Sequence, residues 1–204
     1  MPVCYYVALP IYELRINPEA QDGAEVDYIA LVDEPAIQRD FVAFNAQQPL
    51  TFAIQDEEKR IISGPAMVPD MLIYRNSESM GEHYVKFSRQ TIQDIAVKFF
   101  RKKYTSNVNL MHSEQMRVDG VTIFESFITD TERGIAPMKG FEDLPEGTWF
   151  VSMYVDNDAV WGEVKAGTFR GLSVEGLFDY TRPMTKEEQL LQQIEALLNE
   201  QVTD

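Results

Sequence analysis

His112 and Ser173 are the two residues of this chain that could together perform acyl transfer. His112 ends a strand-like run over residues 107–112, and Ser173 lies in the segment 171–176, where small residues flank its hydroxyl. A free hydroxyl is a poor nucleophile near neutral pH, so Ser173 would need an imidazole to accept its proton. The chain has 2 histidines, which narrows the choice of base. Because His112 and Ser173 are distant in sequence, only the fold can bring them together.

An acidic residue would complete this pair by fixing the imidazole tautomer and stabilising the imidazolium. Side-chain alternation places Glu125 on an otherwise apolar face of the predicted strand 121–129, where a carboxylate is costly unless it is paired. The turn signal Asp119-Gly120 predicts a hairpin between this strand and the one that ends at His112. In that hairpin Glu125 would be a diagonal neighbour of His112, at about 7–8 Å between backbones.

Donors for a developing oxyanion would come from the same segment as the serine. The backbone amides from Gly171 to Val174, with the Arg170 side chain, are the candidates. The second histidine, His83, is predicted to lie on the surface. The sequence predicts no metal site, because the chain has 2 histidines and 1 cysteine without paired ligand spacing, and the proposed chemistry needs no cofactor.

Composition limits the classes of function. The chain has 204 residues, 45% of them hydrophobic, which is enough for a substantial core. A net charge of −15 predicts repulsion from nucleic acids and anionic lipid surfaces. No apolar run approaches the roughly 20 residues of a membrane span, and the N-terminus lacks the pattern of a signal peptide. The single cysteine, Cys4, suits a reducing cytosol.

The elements that must position these residues are mostly strands. The pattern predicts seven or eight strands, a helix over 88–103 with Ser88 as its cap, and a short helix over 156–165 that Gly167 stops. Trp149 and Trp161 are predicted to lie in the core. Strands outnumber helices and do not alternate with them, so we expect an α+β fold that is rich in β-structure rather than a Rossmann-type fold.

The last segment of the chain has a different character. We expect the main domain to cover residues 1–183 and a C-terminal tail to cover residues 184–204. Thr185 and Glu188 fit a capping box, and leucine and isoleucine residues follow at helical spacing. The tail is therefore predicted to form one amphipathic helix, which either packs on the domain or docks on another chain.

Five segments, taken in order, resemble the phage serine proteases. They are VDEPA (32–36), NLMH (109–112), FESF (124–127), GTW (147–149) and GLSVEG (171–176). The resemblance covers most of the chain and lies in the ordered set rather than in any single motif. These proteases are similar to the tailed-phage prohead maturation proteases, which share a fold with the herpesvirus assembly proteases.

The resemblance implies a barrel-like β-core with flanking helices, with Ser173 as nucleophile and His112 as base. Phage relatives tend to use an acid as the third residue, which favours Glu125; the herpesvirus relatives use a second histidine, which would be His83. The resemblance also implies cleavage of scaffold and major capsid precursor proteins, often with self-cleavage. That activity would occur inside the immature phage head in the host cytoplasm, and the protein could form a homo-oligomer.

Two alternatives stay open at this point. One is a non-catalytic protein of the same fold that associates with scaffold or capsid through its acidic surface and terminal helix. The other is a cytosolic binding module unrelated to phage. The presence of both His112 and Ser173 favours the peptidase over the first alternative.

Overall fold

The computed structural model describes residues 9–20, 25–33 and 51–182. Within these ranges the chain forms twelve β-strands and two α-helices. The first six strands are β1 Ile11–Arg15, β2 Glu25–Val32, β3 Ala53–Asp56, β4 Ile61–Met67, β5 Ile73–Ser77 and β6 Gly81–Phe87. Helix α1 Arg89–Arg101 and a 3-10 turn Tyr104–Ser106 follow, and then the strands β7 Val108–Leu110, β8 Ser113–Arg117, β9 Val121–Ile128 and β10 Trp149–Val155. The last elements are helix α2 Asp158–Ala166 and the strands β11 Gly171–Leu177 and β12 Asp179–Thr181.

The described strands form three sheets of four strands each, with the orders β12-β1-β6-β5, β3-β4-β10-β9 and β11-β2-β7-β8. A barrel requires the first and last strands of a sheet to hydrogen-bond to each other. None of these three sheets closes in that way, so the predicted barrel-like core is wrong for the described residues. The α+β class, with strands predominating, is confirmed.

Both helices begin and end where local chemistry predicts. The Ser88 hydroxyl accepts a hydrogen bond from the Thr91 amide at 3.2 Å, which caps α1 at its N-terminus. The Asn157 side chain accepts from the Val160 amide and caps α2. Gly167 ends α2 with a φ of 75°, a left-handed conformation that glycine adopts without steric cost. The predicted cap at Ser88 and the predicted stop at Gly167 are confirmed.

One hydrophobic cluster joins the three sheets and the two helices. Its largest fully buried side chains are Trp149 and Phe99, whose ring centroids lie 5.8 Å apart in an edge-to-face arrangement. Trp161 of α2 is buried in the same cluster. Both tryptophans therefore belong to the core, as predicted, and this core fixes the sheets relative to each other.

The Asp119-Gly120 turn connects two different sheets rather than the two strands of one hairpin. Strand β8 pairs with β7, whereas β9 pairs with β10. The Gly120 carbonyl accepts hydrogen bonds from the amides of Asp156 and Asn157, and Asn157 Nδ2 donates to the Asp119 carbonyl. These bonds attach the turn to the start of α2 and direct β9 towards β10. The predicted hairpin across this turn is therefore wrong.

Some sequence predictions fall outside the described residues. They include the C-terminal helix over 184–204, together with the tail boundary, and the segment VDEPA beyond Asp33. Among the helices that the structure describes, none combines the length and the apolar character that crossing a bilayer requires.

Candidate active site

Ser173 and Glu175 lie on the same face of β11, because side chains two residues apart on a strand point in the same direction. Ser173 is buried, with 6% of its surface exposed. Glu175 is more accessible, with 26% of its side chain exposed. A hydroxyl and a carboxylate therefore project together from one strand, the hydroxyl being the more enclosed of the two.

The two neighbouring strands extend this polar face. Ser173 lies opposite Ala30 of β2, and Ala30 lies opposite Asn109 of β7. Residues directly opposite each other in a sheet share a face. Ala30 carries only a methyl group, so it leaves space above the sheet for longer side chains to meet. Asn109 Nδ2 uses that space to donate a hydrogen bond to Glu175 Oε2 at 2.7 Å.

Glu175 also faces the imidazole of His112. The distance from His112 Nδ1 to Glu175 Oε2 is 3.5 Å, and the imidazole is 41% exposed. Catalytic hydrogen bonds are often this long in unliganded enzymes and shorten when substrate binds. Asn109 is fully buried, and its Oδ1 has no partner among the described residues. Asn109 is thus fixed beneath the carboxylate, and it orients the oxygen that faces His112.

His112 occupies an unusual backbone position. Leu110 and Ser113 pair with each other, so Met111 and His112 form a two-residue connection between β7 and β8. Both have positive φ angles, 55° and 56°. This geometry normally selects asparagine and glycine, and each other L-residue held there costs about 1–2 kcal/mol. Strain of this kind persists where the surrounding structure imposes it, and it is concentrated at functional sites.

A β-bulge follows Glu175 and depends on a glycine. The pairing of β11 with β2 shifts register between Glu175 and Gly176. A Cβ atom on Gly176 would lie 2.0 Å from the Glu25 carbonyl oxygen, so no larger residue fits without moving β2. Bulges redirect neighbouring side chains and are frequent next to active sites. Gly176 therefore allows the close strand contact that ends the regular face carrying Ser173 and Glu175.

Ser173, His112 and Glu175 all line one cavity of about 350 Å³. This volume is near the lower end of the range of roughly 300–1,000 Å³ that is typical of ligand pockets. The remaining walls come from β1, β4, β5, β6, the loop between β4 and β5, and the segment around Phe178. Among the described residues no hydrogen bond joins Ser173 to His112. The structure thus brings the predicted nucleophile and the predicted base to one cavity.

The Val174 amide points outward from the edge of its sheet, away from β2. Within β2, the Ile29 amide and the Leu31 carbonyl form hydrogen bonds on the side of β7. Backbone groups alternate in direction along a strand, so those of Ala30 face β11, where Ala30 pairs with Ser173. The next amide along β11, that of Val174, is then directed to the opposite side, where no strand of this sheet follows. Val174 also lines the cavity. The amide that follows Ser173 therefore lies at the free edge of β11, in a residue that lines the cavity.

Arg170 takes a different position from the one predicted. Its Nε donates a hydrogen bond to the Gly167 carbonyl at 3.0 Å, which satisfies the C-terminal end of α2. Arg170 is exposed and is not among the described residues that line the cavity. The helix end thus supplies a local acceptor for its guanidinium, and the predicted oxyanion contact is not formed.

Glu125 lies in β9, in a different sheet from His112 and Ser173. It is exposed and pairs with Ser152 of β10, beside a register shift that leaves Phe124 without an opposing residue. This shift interrupts the alternation that placed Glu125 on a buried face. Because the predicted hairpin does not form, the expected contact between Glu125 and His112 is absent. The carboxylate beside His112 is instead Glu175.

His83, predicted to be a surface residue, is buried with 1% of its surface exposed. Its Nδ1 donates to the Gly81 carbonyl at 2.8 Å, and its ring contacts Tyr12 and Tyr180 edge to face. Its Nε2 has no partner among the described residues. His83 lies in β6 and is not among the described residues that line the cavity. The structure therefore places His112, and not His83, in the cavity that Ser173 lines.

Ser173 also differs from the other buried serines of the described chain. Ser63 and Ser152 are buried and satisfy each other through a hydrogen bond of 2.8 Å between their hydroxyls. The Ser173 hydroxyl has no hydrogen-bond partner among the described residues, and it faces the cavity. Among the serines that the structure describes, only Ser173 is buried and also lines the cavity of His112 and Glu175.

Comparison with known proteins identifies the family. The family model described as putative phage serine protease XkdF matches residues 50–181, which is more than half of the chain. This chain belongs to that family. The match includes His112, Ser173 and Glu175. Neither the curated proteins nor the solved structures that were searched contain a match.

In this member of the XkdF family, Glu175 and Asn109 are site residues that the sequence analysis did not single out. A local signal for Glu175 existed, because it lies two residues after Ser173 on a predicted strand and must share its face. Asn109 had no such signal, since its contact with Glu175 depends on the order of three strands. Across the described residues, no group of three or more histidine, cysteine, aspartate or glutamate side chains is arranged to hold a metal ion.

Proposed function

We propose that the protein is a serine endopeptidase that cleaves scaffold and capsid precursor proteins during phage head maturation. The observation that carries the proposal is that Ser173 and His112 line one cavity while Glu175 faces the His112 imidazole. Membership of a phage serine protease family supports the peptidase chemistry. We assign the nucleophile to Ser173, the base to His112 and the third role to Glu175.

The reaction begins when Ser173 Oγ attacks the carbonyl carbon of the scissile peptide. Since His112 Nδ1 faces Glu175, the other ring nitrogen, Nε2, accepts the serine proton. The Glu175 carboxylate then stabilises the imidazolium, and Asn109 keeps the carboxylate in place. The C–N bond breaks as His112 returns the proton to the leaving amine. Water hydrolyses the acyl-enzyme by the same proton transfers in reverse.

The oxyanion of the tetrahedral intermediate would lie at the outer edge of β11. The Val174 amide is directed there and belongs to the residue that follows the nucleophile. Removing a single donor of this kind typically costs about 2.7–4 kcal/mol of barrier lowering. We therefore assign oxyanion stabilisation to Val174, and we assign to Arg170 only the closure of α2.

The proposed setting is the interior of the immature phage head in the host cytoplasm. Scaffold and major capsid precursor proteins are the proposed substrates there, with self-cleavage and a homo-oligomer as further features of the same proposal. The net charge of −15 is consistent with protein partners rather than nucleic acid. Co-expression with the scaffold and capsid precursors of the same phage, followed by intact-mass analysis, tests these substrates directly.

The chemistry itself is tested with a fluorophosphonate probe, which labels activated serines covalently. We expect labelling at Ser173 and loss of labelling in Ser173→Ala, with peptide hydrolysis falling by about 10⁴-fold or more. The matched control is Ser106→Ala, because Ser106 is an exposed serine outside the cavity. Full activity in Ser173→Ala would exclude the serine mechanism. A folded protein that no probe labels would favour the non-catalytic scaffold-associated alternative.

A further inference from the structure

The cavity beside Ser173 has two unlike sides. One side carries the polar groups of Ser173, His112 and Glu175. The other side is apolar and is built by residues from four strands and the loop between β4 and β5. The apolar side includes Leu14, Ala66, Met67, Met71, Ile73 and Phe87. Polar groups and an apolar recess therefore share one cavity.

Burial separates the recess from the entrance of the cavity. Leu14, Met67 and Phe87 are buried, with 3%, 3% and 4% of their surfaces exposed. Tyr180, at 47%, is exposed. We call the three buried residues the floor of the recess and the exposed Tyr180 its rim. The floor defined in this way is apolar. Leu14, Met67 and Phe87 carry no charge, so a charged side chain placed against them would lose hydration without a compensating partner. Arg75 also lines the cavity, but it is exposed.

We propose that this recess is the specificity pocket of the enzyme, and that it selects a large apolar side chain such as leucine, methionine or phenylalanine. The side chain would belong to the residue whose carbonyl Ser173 attacks, so the inference rests on the proposed function. Ser173 and its neighbours Leu172 and Val174 line the same cavity. A substrate held against this strand therefore has the apolar floor within reach of one side chain.

The pocket is adaptable within the apolar class. Met67 and Met71 both contribute to its apolar side. Methionine is unbranched and polarizable, so it adjusts its shape to different apolar partners. The pocket should therefore distinguish apolar from polar substrate side chains more strongly than it distinguishes leucine, methionine and phenylalanine from one another. One or more additional methylene groups in such a pocket typically raise the specificity constant by about tenfold or more.

The experiment uses a series of peptidyl diphenyl phosphonates that differ only in the residue next to phosphorus, carrying alanine, leucine, methionine, phenylalanine, aspartate or lysine side chains. Ser173 Oγ forms a bond to phosphorus, the bond to one phenoxide breaks, and the serine proton leaves with it as phenol through His112. Intact-mass analysis follows the rate. We expect leucine, methionine and phenylalanine to react at least about tenfold faster than alanine, and aspartate and lysine to react more slowly than alanine.

Two pocket variants test which residues are responsible. Ala66→Leu adds volume to the pocket wall and should reduce the phenylalanine-to-alanine rate ratio at least about threefold. Met71→Ala enlarges the pocket at a residue that is only partly buried, so it should fold even if Ala66→Leu does not. In the enlarged pocket of Met71→Ala, the preference should shift towards a larger side chain such as a naphthyl group. Met80→Ala is the matched control, because Met80 is an exposed methionine outside the cavity. Rate ratios unchanged in both pocket variants would overturn the inference.

Binding to Ser173→Ala separates the pocket from the chemistry. Fluorescence anisotropy with acetylated peptide amides of the same series should show the same apolar preference. Binding with that preference, together with no labelling of wild-type Ser173, would support the pocket and refute the peptidase. Equal labelling rates for all side chains would support the peptidase and overturn the pocket. A lack of both labelling and preference would overturn both.

Discussion

The two histidines of this protein occupy opposite kinds of environment. His83 lies within a strand and is almost fully buried. Its Nδ1 donates a hydrogen bond to the carbonyl of Gly81, two residues earlier in the chain. His112 lies in a two-residue turn, is 41% exposed, and turns Nδ1 to a carboxylate from another strand. The first ring packs between two tyrosines, and the second lines a cavity with a serine.

This comparison shows that residue type alone does not identify a catalytic histidine. A base must reach its substrate and must have a partner that stabilises its charged form. In our proposal His112 is this base, because it lines the cavity with Ser173 and faces Glu175, at the expense of a left-handed backbone conformation. His83 meets neither among the described residues, and its packing serves the sheet β12-β1-β6-β5. The following experiments test this division between a catalytic and a structural histidine.

The largest effect is expected for His112→Asn. Without an imidazole, Ser173 has no base, so peptide hydrolysis should fall by about 10⁴-fold or more. Asparagine tolerates positive φ, so the free energy of unfolding should change by less than about 0.5 kcal/mol. Measurements of kcat/KM and of urea unfolding on the same preparation check both statements. A stability loss comparable to that of a core substitution would assign His112 a structural role.

Met111→Gly is the control for the turn. It relieves the same kind of backbone strain without altering the imidazole, so the free energy of unfolding should rise by about 0.5–1 kcal/mol. Met116→Gly, at an exposed methionine of β8 that has no positive φ, should instead lower it by a similar amount. Equal effects of both substitutions would show that the turn holds no strain.

A smaller loss of activity is expected for Glu175→Gln. The amide keeps the shape of the carboxylate but does not stabilise the imidazolium, so kcat/KM should fall by about 10²–10⁴-fold. Glu125→Gln is the paired variant and should leave kcat/KM within about twofold, because Glu125 is exposed in another sheet. The reverse result, with Glu125→Gln impaired and Glu175→Gln active, would return the third role to Glu125.

A smaller effect on activity than that of Glu175→Gln is expected for His83→Ala. Loss of a buried ring that contacts two tyrosines should lower the free energy of unfolding by about 2–4 kcal/mol. The kcat/KM of the folded fraction should change by less than about tenfold. Thermal unfolding and active-site titration measure the two quantities. A loss of activity as large as that of His112→Asn, without destabilisation, would make His83 the third catalytic residue.

Local patterns predicted local structure well. The serine cap of α1, the glycine that ends α2 and the two core tryptophans follow from periodicity and from residue chemistry, which act over a few positions. The hairpin at Asp119-Gly120 was wrong for a non-local reason. Hydrogen bonds from Asp156 and Asn157 hold this turn against α2, and they come from residues more than thirty positions away.

The sequence by itself determined which side chains could act, because the chain has 2 histidines and a serine in a segment of small residues. It also determined that Ser173 and Glu175 share a face, since alternation is a property of the strand alone. The tertiary structure decided that Glu175, rather than Glu125, faces His112. Strand order and register depend on contacts between distant segments, which are selected by the packing of the whole core and not by any single segment.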